Sequence, residues 1–190
     1  AEGVDARARL AQTPADVLIL TEAIPVAGHV KWSDTAGNIA KFAGLAREAN
    51  PDTRVYLFEG WPSRKSGPGA DTKDDPDAAT PWRERLTKDL PLWQGAAGEG
   101  VQIIPTGQAF ARLDDEITAG KVPGIDSLDA FFSDDIHLSG KGQYFAALVI
   151  AATVADKTPK GLPAKLTRAW VSRDAVLTDD QAAALQTIAW

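Results

Sequence analysis

Three short apolar runs, set apart by helix-length stretches, constrain this chain more than any other feature. They are VLIL at 17–20, RVYLF at 54–58 and VQIIP at 101–105. Each is bounded by charges or turn formers. The first is continuously apolar, as expected of a strand buried on both faces of a parallel sheet. Between the runs the apolar residues recur at helical spacing. Residues 35–50 carry Ile39, Phe42, Ala43, Ala46 and Ala49 on one stripe and stop at Asn50-Pro51, because the residue before a proline is pushed out of helical geometry. Residues 80–98 open with Thr80-Pro81, a capping residue ahead of proline in the first helical position. Pro91 should kink or divide that helix. A further helix is expected over 107–119. Another, over 143–157, is apolar almost all round and should be buried against the sheet.

Strand and helix in alternation imply right-handed βαβ units and a doubly wound, mainly parallel sheet, with sites at the carboxyl ends of its strands. The 190 residues fit one domain. Residues 158–190 read as a Pro/Gly-rich linker and a helix from about Thr178 within that domain. The stripe Ala182, Leu185, Ile188 and Ala189 should dock this helix on the body. Residues 60–79 and 121–133 resist regular structure and read as loops of the kind that often cover sites.

Composition removes several functions. A net charge of −6 with no basic run argues against nucleic acid as a partner. No apolar run approaches the roughly 18 to 20 residues of a membrane span. The chain has no cysteine and two histidines, which excludes a thiol nucleophile and makes a zinc site an unfavourable reading. The acidic run DTKDDPD at 71–77 lacks the ligand spacing of a calcium loop and reads as a solvated surface. No phosphate-cradling glycine motif is present, so neither metal nor cofactor is expected. Methionine is absent and residue 1 is Ala. An acidic, cysteine-free chain of this kind fits a processed form in the periplasm or outside the cell better than a cytoplasmic one.

The most chemically loaded stretch is SDDIHLSGKG at 133–142. Ser139 is a good N-cap for the buried helix, and Gly140 and Gly142 permit close backbone approach. Asp134 precedes His137 by three residues, close enough in a turn for its carboxylate to meet the imidazole Nδ1. That pairing fixes a tautomer and stabilises an imidazolium, as in a hydrolytic triad. The same residues could equally cap turns on a packed loop. Glu22 and Glu59 end two of the expected strands, so a carboxylate pair at that face is a further candidate for acid–base work. Ending the strands in carboxylates bonded to loop backbone is the plainer reading. His29 and Trp61 fall on the same face, where Glu22 and Trp61 are candidates for contacting substrate.

The block SDDIHLSGKG resembles the closing Asp-x-x-His element of the SGNH (GDSL-type) hydrolases. Segments ADVLILTEAIP at 15–25, NPDTRVYLFEGWP at 50–62 and QAAALQTIAW at 181–190 are similar to strands and the last helix of SGNH-like bacterial proteins. The resemblance implies a flavodoxin-like α/β/α sandwich and metal-independent hydrolysis of a carboxylic ester, including O-acyl carbohydrates. Asp134 and His137 would be the triad acid and base. The family's Gly-Asp-Ser element, which supplies the nucleophile, has no match in these residues, and Glu22 stands near where the family places an oxyanion-holding Asn. Three explanations follow. A first strand with its nucleophile lies on a segment outside this chain, supplied by a second polypeptide segment; or the chain is an inactive relative that binds; or another serine serves. The serines available are Ser33, Ser63, Ser66, Ser127, Ser133, Ser139 and Ser172.

Overall fold

Val17–Thr21 (β1), Arg54–Phe58 (β2) and Val101–Ile104 (β3) pair side by side, all parallel, in the order β1-β2-β3. This is seen in a computed structural model of the chain, which describes residues 5–164 and 177–190. Around the sheet lie α1 (Ala6–Gln12), α2 (Val26–Trp32), α3 (Thr35–Ala49), α4 (Trp82–Ala97), α5 (Thr106–Thr118), α6 (Gly140–Ala155) and α7 (Asp179–Ile188). A 3-10 turn at Leu128–Phe131 precedes α6.

The alternation of side chains along each strand sorts the core into two layers. Leu20, Leu57, Val101 and Ile103 face Val26 of α2, Ile39 of α3 and Trp93 of α4. Val17, Tyr56, Phe58 and Ile104 face Phe110 of α5, Phe145 and Leu148 of α6, and Leu185 of α7. Helices on both faces of a parallel sheet make a flavodoxin-like α/β/α sandwich, the architecture expected from the alternation of runs.

Several local expectations shift. The helix expected to open at Thr80-Pro81 has Pro81 as its N-cap and starts at Trp82, and α4 continues through Pro91 as one element. Packing of Trp82, Leu86, Trp93 and Ala96 into the core holds it there. Helix α2 has no signature in the sequence, because seven residues are too short to display a helical period and no side chain caps its start. The acidic run is only partly free: Asp75 binds the buried Arg85, and Asp77 binds Lys88.

The largest correction concerns β1, expected to be buried on both faces. It is an edge strand, and Ile19 is 43% exposed while Tyr56, its partner in register on β2, is 2% exposed. The tail helix behaves as its stripe indicates. Ala182, Leu185 and Ile188 are buried against α5 and α6, and Thr178 and Gln181 form a reciprocal cap at its start.

Candidate active site

The Asp134–His137 block is a closed loop seated in front of α6. Phe132 and Leu138 form an isolated antiparallel bridge. The Ser133 amide donates to the His137 carbonyl at 2.8 Å, and the Ser139 amide to Phe131 O at 2.9 Å. Ser139 caps α6, its Oγ accepting from the Gly142 amide at 3.4 Å and donating to Ala130 O at 2.8 Å. A Cβ on Gly142 would collide with the Phe131 carbonyl oxygen, so only glycine lets the first turn of α6 pass this close to the loop.

Within the loop, Asp134 Oδ1 accepts from the amides of Ile136 (2.9 Å) and His137 (2.7 Å), and its Oδ2 lies 2.7 Å from His137 Nδ1. These bonds favour the charged carboxylate: the His137 amide first, then the Ile136 amide and the imidazole, hold its pKa down to about 2. Near neutral pH Asp134 is therefore an acceptor only, so Nδ1 must carry the proton and the neutral ring keeps its lone pair on Nε2. The His137 side chain is 72% exposed, and Nε2 meets no hydrogen-bonding partner among the described residues. The arrangement is an oriented base open to the surface.

The loop that follows β2 clamps this block from the other side. Trp61 donates its indole N–H to Ile136 O at 2.9 Å, the Arg64 amide donates to Asp135 O at 2.7 Å, and Ser63 Oγ donates to Asp135 Oδ2 at 2.9 Å. Trp61 itself is wedged edge-on against Phe110 and Phe132, with ring centroids 5.1 and 6.0 Å away. A small cavity of about 200 Å³ beside the clamp joins three loops: Ile24 and Pro25 after β1, Pro62 and Ser63 after β2, and Ile136 next to the base, with Arg85 and Asp75 also in its wall. The block thus stands at the carboxyl ends of β1 and β2, where parallel sheets place their sites.

The other candidates are placed differently. Glu22 Oε1 accepts from the Ala23 amide at 2.7 Å, and Oε2 accepts from Thr35 Oγ1 at 2.8 Å. Both oxygens brace the turn into α2 and α3, and His29 Nδ1 stands 3.8 Å off, beyond hydrogen-bond reach. Glu59 is 1% exposed and bound to Gln108 Nε2 at 2.9 Å; burial pushes its carboxyl pKa up. The two glutamates share no partner. Trp61 supports the loop through its N–H, a role that its position in the sequence did not signal.

Of the serines, Ser63 is engaged with Asp135, Ser66 accepts from Arg85, and Ser127 and Ser139 cap helical turns. Ser133 Oγ donates to the His137 carbonyl. Ser172 lies outside the described residues. No described hydroxyl is hydrogen-bonded to the His137 ring. Nor do three His, Cys, Asp or Glu side chains converge in a metal-holding group among the described residues. No helix of the described residues is long and apolar enough to cross a membrane.

The fold has a solved counterpart. The chain is similar to a DUF4886 family protein from Bacteroides uniformis, with a TM-score of 0.65 and 19% identity over 96% of this chain. This chain spans 64% of that protein's length. No family model matches the sequence, and no curated protein matches it.

Proposed function

We propose that this chain is the base-bearing part of a serine-type carboxylic ester hydrolase of the SGNH kind. His137 is the general base, Asp134 orients it, and the nucleophilic serine comes from a segment outside these 190 residues. One observation carries the reading: the 2.7 Å contact between Asp134 Oδ2 and His137 Nδ1, which leaves Nε2 exposed and without a partner among the described residues.

The chemistry follows from that geometry. Nε2 takes the proton of the serine hydroxyl as Oγ bonds to the acyl carbon and the carbonyl electron pair moves to oxygen. Asp134 remains a carboxylate and stabilises the imidazolium. As the tetrahedral intermediate collapses, the ester C–O bond breaks and Nε2 returns its proton to the departing alcohol. Water then enters by the same route and releases the acid. No metal or cofactor is needed for these steps. The substrate class is a small acyl ester or an O-acyl carbohydrate.

A second reading, an inactive binding module on the same fold, is favoured by the lack of any described hydroxyl at Nε2. The two readings separate on the natural polypeptide. The esterase reading expects a fluorophosphonate probe to label a serine outside residues 1–190, and expects His137→Ala to abolish turnover of a chromogenic acetate ester. Turnover that is unchanged in His137→Ala would remove it; no labelling and no turnover would favour the binding module.

A further inference from the structure

Helix α1 precedes β1 as a crossover helix would, yet no strand comes before it among the described residues. Helix α1 packs on α3, in the same layer as α2 and α4, yet none of its seven residues is buried. In that layer α2 and α3 carry the chain from β1 to β2, and α4 carries it from β2 to β3, each step moving one place along the sheet. Parallel crossovers in one sheet share the right hand. A strand that enters β1 through a helix on this same face must therefore lie beyond β1, on the side away from β2.

That side is open. The outer edge of β1 has no strand partner among the described residues, and such an edge is a template for a further strand. On the α1 face an apolar groove of about 430 Å³ runs between Leu10 of α1, Ala15, Leu18 and Leu20 at β1, and Phe42 of α3. On the opposite face Ile19 is left 43% exposed. In register one strand inward, Val55, Tyr56 and Leu57 are at most 2% exposed. Apolar side chains are thus uncovered on both faces of β1, as they would be in a sheet interrupted here. A groove beneath a helix fits the side chains of an added strand, because alternate residues of that strand point into each face.

We propose that the free edge of β1 and the groove under α1 receive a parallel β-strand, rich in apolar residues, from the polypeptide N-terminal to α1. The solved structural neighbour, of which this chain spans 64%, has length to spare for such an element. The inference requires only the added strand and stands apart from the esterase reading, whatever side chain that strand carries at its end.

Hydrogen exchange of the natural polypeptide tests it. The β1 amides that face away from β2 should be protected by at least about 100-fold over unstructured chain, independently of protein concentration. A segment before α1 should be protected with them. In the same polypeptide Ile19→Cys should react with a maleimide at least roughly tenfold more slowly than Trp32→Cys, since Trp32 is 78% exposed on α2. Unprotected outer amides, or equal labelling of the two cysteines, would overturn the proposal. So would protection that grows with concentration, the mark of a second copy on this edge, or a natural polypeptide with no strand-length segment before α1. Neither readout depends on esterase activity.

Discussion

The indole N–H of Trp61 donates to the carbonyl of Ile136 at 2.9 Å, tying the loop after β2 to the residue beside His137. The bond sets where the His137 ring stands relative to the sheet, because Ile136 and His137 share one peptide unit. Trp61→Phe keeps an aromatic ring against Phe110 and Phe132 and deletes the donor. Stability should fall by about 1 kcal/mol, the usual worth of such a bond. The kcat of the proposed esterase should fall about tenfold with KM little changed, since a base displaced by a fraction of an ångström loses rate rather than binding. Denaturant melts and steady-state kinetics read the two effects; wild-type kcat in this variant would contradict the role.

Asp134 gives a pH prediction with a definite sign. Its folded pKa is held down to about 2, against about 3.9 in an unfolded chain. A depressed carboxyl contributes order that is fully present above about pH 4 and is lost as the pH falls through about 2. Carbon-detected NMR of the Asp134 carboxyl should titrate with a midpoint near 2. A midpoint near 4 would mean that the two amides and the imidazole do not hold it in solution. Asp134→Asn should lower kcat by roughly 10² to 10⁴, as loss of the orienting acid does in triads.

Glu59 shifts the other way, because burial opposes its charge. A carboxyl whose folded pKa lies above its unfolded value costs stability as the pH rises from the unfolded toward the folded pKa. Glu59→Gln keeps an acceptor for Gln108 and removes the charge, so the variant should lose less stability than wild type between pH 4 and pH 7. Asp89, also raised by burial, contributes in the same direction in wild type and variant alike. Parallel pH dependences of wild type and variant would refute the assignment.

Two glycines make a matched pair. Gly142→Ala drives a methyl into the Phe131 carbonyl at the start of α6, and the loop or helix must give way at a cost of about 2 kcal/mol. Gly44 lies inside α3 with nothing within 4 Å of an added Cβ, so Gly44→Ala should stabilise by roughly 0.5 to 1 kcal/mol through helix propensity alone. Chemical denaturation of both variants checks the contrast, and equal effects would discount the close approach.

Much of the layering was legible in the residues themselves. Strands β1, β2 and β3 are short apolar runs, and α3 and α7 display stripes whose inner residues, Ile39, Ala43, Ala46, Ala182, Leu185 and Ile188, are buried. The Asp134–His137 pair was legible too, since three residues in a turn leave little choice about their meeting. The brace on Glu22, the indole bond of Trp61 and the bond from Ser63 to Asp135 were not. Their partners lie 13, 75 and 72 residues away, and no local pattern encodes such distances.

The sequence by itself determined the elements and their alternation, because the 2- and 3.6-residue periods of apolar side chains report directly on which backbone can bury them. It also determined that Asp134 and His137 meet, a matter of turn geometry. Only the tertiary structure decided that β1 stands at an edge of the sheet, which serines are engaged elsewhere, and which loop holds His137. Those depend on strand order and on long-range hydrogen bonds, which are set by how the layers close over one another. Continuous apolarity marks β1 as a strand with two faces to cover; only the assembled sheet reveals that the described residues leave its outer edge and part of both faces open.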